Sequence, residues 1–379
     1  MLKTNIMGIE INTPIIISPG PWSSGKKKLK KALCSGVGAV FTESIVSESC
    51  AEKGPWYAYD KKSQGVENTK LYTSIELEEW LEILHEVDEE KRYGSETKII
   101  ASIMGSSQSE LKYIAKKVEK TGVDGIEVGL ACPMNEGPEV IAGNADKVYE
   151  YTRTVVEAVN MPVSVKLTAI TADLPKVVKA VKRAGASGIS AIDSIRGILN
   201  VDIDARRVGL RTYGGISGSP IKPMGLSTVA GIAQCTDLPI AGMGGINDYR
   251  DILEYIMLGA SSCGLATTIL LNGYEHIKKI QADLSKWAND NGIKHIDEIR
   301  GSALSGLRAF EEIKPERKKA YLRKTCKNEA CGQCVTSCIE EAIAFKDRIE
   351  IDEELCNGCG LCCSVCPEGL ISIHWASDR

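Results

Sequence analysis

Over the first 300 residues, short apolar runs alternate with amphipathic stretches rich in lysine and glutamate. Eight of the runs predict strands: Pro14–Ser18, Ala39–Thr42, Ile99–Met104, Gly125–Val128, Val163–Leu167, Gly188–Ile192, Pro239–Gly242 and Cys263–Ala266. They lack the period-2 alternation of a half-solvated strand and suit strands covered on both faces of a parallel sheet. Helical spacing marks most of the intervals, as in Ser109–Thr121, Ala145–Asn160, Leu174–Ala184 and Tyr249–Leu258. Eight such repeats predict an α/β fold closed into a (β/α)8 TIM barrel. A doubly wound open sheet is the rival, but no G-x-G-x-x-G follows the first strand.

Two stretches break the pattern. Residues 44–75, with Trp56, Tyr57 and Tyr59, follow the second strand, and residues 196–224, with RGILNVDIDARR and YGGISGSPIKP, follow the sixth. Long loops at strand C-termini are where barrel enzymes place substrate contacts. Plain surface decoration explains the first insertion equally well; the glycines of the second favour a functional loop.

A barrel takes roughly 250 residues, so the 379-residue chain has room for a second module. A 43% hydrophobic and 25% charged composition is ordinary for a globular protein. The net charge of −4, with no basic half, argues against nucleic acid, which requires a clustered Lys/Arg face. The basic run Lys26 to Lys31 falls at a helix start and reads as a solvated face. No apolar stretch approaches the ~20 residues that span a bilayer, and the N-terminus lacks a signal-peptide layout. No membrane association and a cytoplasmic location are expected, where thiols stay reduced. The 14 cysteines then need an explanation other than disulfides. Nine lie between Cys326 and Cys366 and five in the preceding 325 residues. This break predicts a barrel over 1–300, a helical linker over 301–322 and a small α+β iron–sulfur domain over 323–379.

The second cysteine run is Cys356-x2-Cys359-x2-Cys362-x3-Cys366-Pro367, with a spare Cys363 that reads as packing. This is the bacterial two-cluster ferredoxin pattern, in which the fourth cysteine ligates the other cluster. The first run, Cys326-x4-Cys331-x2-Cys334-x3-Cys338, has two extra residues in its first gap and Ile339 where proline is usual. The spacing assigns Cys326, Cys331, Cys334 and Cys366 to one [4Fe–4S] cluster. It assigns Cys338, Cys356, Cys359 and Cys362 to the other. Structural zinc is the alternative, but zinc uses two C-x2-C knuckles with a longer spacer. The segments AIAFKDRIEI and GLISI predict short strands of a pseudo-twofold ferredoxin-like fold.

Several motifs resemble the dihydroorotate dehydrogenase class of FMN enzymes: Gly214–Pro223 (GGISGSPIKP), Gly242–Ile246 (GMGGI), Ser164–Leu167 (SVKL) and Ala131–Pro133 (ACP). With its ferredoxin tail, the layout is similar to the pyrimidine-reducing half of dihydropyrimidine dehydrogenases. Gly244, Gly245, Ala266 and Thr267 follow strands seven and eight, where barrels bind phosphate. The resemblance implies that they hold the FMN phosphate, with Gly215 and Ile216 from the preceding loop, and that Ser18, Gly20 and Ser194 neighbour the flavin. Lys166 ends the fifth strand, where a cation can stabilise negative charge on the isoalloxazine; a salt-bridged barrel lysine is the alternative. The resemblance makes Cys132 the acid/base that exchanges a proton with substrate carbon; a small buried hydrophobe is the other reading.

The chain departs from that family where a pyrimidine would be read. The N-L-S-C-P-[N/H] motif is Gly129–Met134, the asparagine of N-S-I is Asp193, and the lysine of T-K-S is Glu43. A site built to pair amides with a pyrimidine loses heavily without them. The expectation is therefore hydride transfer between FMN and a C=C or C=N bond of a small non-pyrimidine substrate lined by Glu43 and Asp193. Arg196, Arg206 and Arg207 offer anion contacts from the second insertion. Two clusters would relay single electrons, and the partner would be ferredoxin or an NAD(P)H-oxidising flavoprotein subunit. Similar enzymes often form dimers, so a homodimer is expected. The rivals are an electron-transfer subunit without substrate turnover, a dihydropyrimidine dehydrogenase subunit proper, and a tRNA-modifying flavin reductase. The acidic charge speaks against the last.

Overall fold

The computed structural model describes residues 2–49, 56–70, 72–91, 96–130, 141–312, 318–326, 328 and 330–375. It divides into two units, Met1–Ser305 and Gly306–Arg379.

In the first unit, all eight predicted apolar runs are strands of one closed parallel barrel. In chain order these are Ile15–Ile17, Ala39–Phe41, Lys98–Ile103, Gly125–Gly129, Val163–Leu167, Gly188–Ala191, Ile240–Met243 and Ser262–Leu265. Each pairs with its sequence neighbours, and the eighth closes on the first. Alternation within an entirely buried strand explains why no amphipathic pattern shows. Ile15 and Ile17 join the large cluster beneath the surrounding helices, whereas Ile16 packs with Ala39, Phe41, Ile100, Ala241 and Met243. The N-terminal hairpin, Thr4–Ile6 with Ile9–Ile11, adds Ile6, Met7 and Ile11 to that second cluster. A Cβ on Gly125 would sit 2.7 Å from Met7 Sδ, and one on Gly188 3.1 Å from Met7 Cα. Both glycines begin their strands, so the hairpin closes the N-terminal mouth and leaves the C-terminal mouth to chemistry.

Several helices begin where a side chain caps them. Ser107 accepts from Glu110 N ahead of Gln108–Val118, and Asp173 from Lys176 N ahead of Leu174–Arg183. Asp248 forms a capping box with Asp251 ahead of Tyr249–Met257.

The two insertions, nearly 150 residues apart, form one sheet. Its antiparallel order is Ile195–Gly197, Gly214–Gly218, Gly65–Asn68, Tyr57–Asp60. The first insertion is therefore more than decoration.

In the second unit, Lys318–Leu322 pairs with Ile371–Trp375, and Ile343–Phe345 with Ile349–Ile351. Short helices Gln333–Thr336 and Leu361–Val365 carry the third cysteine of each run, Cys334 and Cys362, the latter beside Cys363. Ala320, Ala342, Ile343, Ile349 and Ile371 pack with Cys356 and Cys362 in the core. This corrects the expected helical linker over 301–322. Gly301 N and Ala303 N bond to Ile256 O and Met257 O of the barrel unit, the described part of 301–312 holds only 3-10 turns, and Lys318–Leu322 is an edge of the second core. Among the described residues no helix is long and apolar enough to cross a membrane.

Candidate active site

A cavity open to solvent lies at the C-terminal ends of the barrel strands beside the insertion sheet. Ser18, Gly20, Glu43, Lys166, Asp193, Ser194, Gly244, Gly245, Ala266 and Thr267 all line it, drawn from six different strand ends. Gly215 and Ile216 do not; their strand reaches the wall two residues later, through Ser217 and Gly218. Cys132 lies outside the described residues.

The wall has two chemically distinct ends. At one, Gly218, Gly244 and Gly245 all have positive φ, at +88°, +118° and +71°. A Cβ on Gly245 would approach Lys222 Cβ to 2.6 Å, and one on Gly218 would approach Gln64 O to 2.5 Å. Thr267 Oγ1 donates to Ser217 Oγ at 2.9 Å beside them. Tight glycine backbone, two hydroxyls and no carboxylate form a donor set that suits a phosphate.

At the other end stand two Lys–Glu pairs. Lys166 Nζ is 3.2 Å from Glu127 Oε2, with side-chain exposures of 8% and 0%. Ser102 Oγ donates to the same oxygen at 3.0 Å, and Glu127 Oε1 has no partner among the described residues. Burial works to lower the lysine's pKa. The charges of Glu127 and Asp193 and the Glu127 hydrogen bond outweigh it, so the ammonium is held above the ordinary lysine value. The second pair joins Lys70 Nζ to Glu43 Oε1 at 3.1 Å. Asp193 Oδ1 accepts from Ser194 N at 2.7 Å. Trp22 covers a further part of the wall, its Nε1 donating to Ser18 O at 2.6 Å. A Cβ on Gly20 would meet that indole at 2.3 Å, which explains the glycine. A ring needing a cation at its electron-rich edge and a phosphate held by backbone match this division, so the residues present fit FMN.

Lys70, Asn68 and Trp22 escaped the sequence reading. The first two sit in an insertion whose pairing is long-range, and no strand-end position flagged them.

A model of the family described as dihydroorotate dehydrogenase matches residues 1–287. The chain belongs to the dihydroorotate dehydrogenase family. A second model, a 4Fe-4S binding domain, matches residues 348–371. The chain is 33% identical over 306 residues to the catalytic subunit of dihydroorotate dehydrogenase B (NAD(+)) of Methanocaldococcus jannaschii, covering 80% of this chain and 98% of that one. It is 31% identical, with the same coverage, to the corresponding subunit of Pyrococcus furiosus. It is 27% identical over 398 residues to the NAD-dependent dihydropyrimidine dehydrogenase subunit PreA of Escherichia coli K12, covering 98% of this chain and 95% of that one. Membership of the dihydroorotate dehydrogenase family, with its attached iron–sulfur domain, makes the chain an iron–sulfur flavoprotein oxidoreductase.

In the second unit, one cavity is lined by Cys338, Cys356, Cys359 and Cys362. Another is lined by Cys326, Cys331, Cys334 and Cys366. These are the two quartets expected from the spacing. Among the described residues no group of three or more His, Cys, Asp or Glu side chains is placed to hold a metal ion. The cysteine spacing and the 4Fe-4S binding domain matched over 348–371 favour iron–sulfur over zinc. Ala320 N donates to Cys356 Sγ and Leu370 N to Cys366 Sγ, each at 3.4 Å, one backbone donor for each quartet.

Proposed function

We propose that this chain transfers hydride between FMN and a C=C or C=N bond of a small non-pyrimidine substrate, with electrons relayed one at a time through two [4Fe–4S] clusters. FMN, bound there, supplies the hydride chemistry. Gly244, Gly245, Ala266 and Thr267 would hold its phosphate, with Gly215 and Ile216 shaping the strand that delivers Ser217 and Gly218. Lys166 would face the electron-rich edge of its ring, near Ser18, Gly20 and Ser194. Cys132 would exchange a proton with the substrate carbon, and Glu43 and Asp193 would line the substrate's side of the cavity.

One observation carries the substrate reading. The single carboxamide among the described wall residues, Asn68, has both amide ends bound to the backbone of Lys70, which fixes its orientation and takes up one of its two donor hydrogens and one of its two acceptor lone pairs. What remains of polar side chains among the described wall residues is carboxylate, ammonium, hydroxyl and the Trp22 indole.

The deciding experiment is steady-state assay of anaerobically purified protein, after FMN, iron and sulfide are quantified, with dihydroorotate, uracil and thymine. Slow or absent turnover of all three is expected, and brisk turnover of any one overturns the substrate reading. The likeness to the E. coli dihydropyrimidine dehydrogenase subunit over 98% of this chain favours a second reading, in which a pyrimidine is turned over after all; the same assay separates the two. An electron-transfer subunit without its own substrate is distinguished by Cys132→Ala, which would leave a relay unimpaired and abolish a reductase. The relatives are named as subunits, which supports an electron partner here, either ferredoxin or an NAD(P)H-oxidising flavoprotein subunit.

A further inference from the structure

Glu43 leaves the second barrel strand into the cavity wall and is 4% exposed. Its Oε1 takes Lys70 Nζ at 3.1 Å, while its Oε2 is buried without a hydrogen-bond partner among the described residues. Lys70 is itself fixed. Asn68 Oδ1 accepts from Lys70 N at 2.7 Å, and Asn68 Nδ2 donates to Lys70 O at 2.8 Å. Asn68 thus holds the lysine backbone and the lysine holds one carboxylate oxygen, which leaves the other as an unsatisfied acceptor. Tyr57, on the same insertion sheet, has its phenol pushed up to about 12 by burial and by the charge of Glu43. Among the described wall residues two carboxylates (Glu43 and Asp193) face two ammoniums (Lys70 and Lys166), and Glu127, unexposed and off the wall, pairs with Lys166 from behind. With Glu127 counted, the described acids outnumber the ammoniums.

We infer that Glu43 Oε2 is the recognition atom for a nitrogen of the substrate, and that the substrate is a small nitrogenous cation, a protonated amine or imine, whose N–H meets it. Lys70 and Asn68 are positioning residues for that carboxylate. A buried acceptor with no partner is destabilising, and a cationic donor satisfies it while neutralising the excess charge. An anionic substrate would leave Oε2 unpaired and add to the negative charge. The inference rests on the function proposed above.

The test uses three near-isosteric probes on the FMN-loaded full chain: benzamidinium, benzamide and benzoate, titrated by the flavin difference spectrum. Benzamidinium is expected to bind at least tenfold tighter than benzamide, about 1.4 kcal/mol, with benzoate weakest. Glu43→Gln keeps the shape and should bring benzamidinium and benzamide to within about twofold of each other, the remainder expected of a neutral acceptor. Lys70→Met removes an ammonium and frees the second Glu43 oxygen, so the preference for benzamidinium should grow, and Lys70→Arg should keep it near the wild-type ratio. A lysine that only stabilised the fold would leave the preference ratio unmoved. Equal binding of benzamide or benzoate, an unchanged ratio in Glu43→Gln, or no response to any probe overturns the inference. If the chain retains no flavin, the proposed function fails at that step, and calorimetry with the same probes still decides the recognition question.

Discussion

Removing the Lys166 ammonium tests how the barrel floor is built. At 3.2 Å, an effective dielectric of 20 gives an attraction to Glu127 of about 5 kcal/mol. Desolvation of both groups offsets most of it, so the pair contributes little net stability. Breaking it is another matter. Lys166→Met leaves Glu127, with no exposure and with Oε1 already unpartnered, as an uncompensated buried charge. A loss of about 3–5 kcal/mol is expected. Lys166→Met combined with Glu127→Leu removes both charges and leaves Ser102 Oγ without its acceptor. The double variant should therefore lie within about 1 kcal/mol of the wild type.

The assay is urea unfolding followed by tryptophan fluorescence, since four of the five tryptophans (Trp22, Trp56, Trp80 and Trp287) precede residue 305. Because the lysine pKa is raised from 10.5, its stabilisation is fully present below that value and is lost only as pH rises through the higher folded value. The lysine's own contribution to the wild type should thus stay flat from about pH 7 to 9. FMN affinity provides the second readout: it should fall in the single variant and stay low in the double one. A single variant costing less than about 1 kcal/mol, or a double variant no more stable than the single, refutes the buried-pair account.

Gly245→Val should lower FMN retention on gel filtration and reduce stability by about 1–3 kcal/mol, because φ is +71° and the new Cβ meets Lys222. Cys359→Ser should reduce iron from about eight to about four atoms per chain, whereas Cys363→Ser should leave it unchanged, as measured by iron and acid-labile sulfide content. Burial pushes the Cys263 thiol far above its usual pKa while Cys34 is exposed, so a maleimide should label Cys34 in the native protein and Cys263 only after unfolding, as read by peptide mass.

The barrel was legible because each strand is a continuous apolar run, such as Ile15–Ile17 or Val163–Leu167, whose burial on both faces erases alternation and leaves composition as the signal. The cysteine quartets were legible because close spacing in sequence constrains which thiols can share a cage. The insertion sheet was not. Gly65–Asn68 and Gly214–Gly218 hold four glycines and an isoleucine, a valine, a serine, a glutamate and an asparagine between them, with little strand propensity of their own. Their pairing is tertiary, and Asn68 and Lys70 matter only once it forms. Lys318–Leu322 was read as linker for a similar reason, since its partner, Ile371–Trp375, lies some fifty residues on.

Under the proposed function, the two Lys–Glu pairs separate chemistry from recognition. Glu127 and Lys166 stand on adjacent barrel strands, paired in fixed register, so their geometry is as rigid as the barrel itself. Glu43 also stands on a strand end, but its lysine arrives from the insertion sheet, held by Asn68 rather than by the barrel ladder. Substitutions in the insertion can therefore change what Glu43 presents without disturbing Lys166. The position that carries a lysine in the T-K-S motif of similar enzymes has become an acid here, and a cation has been brought back from another element. The local charge has been rearranged, not deleted, as expected of a barrel whose loops set specificity while its strand ends keep the reaction.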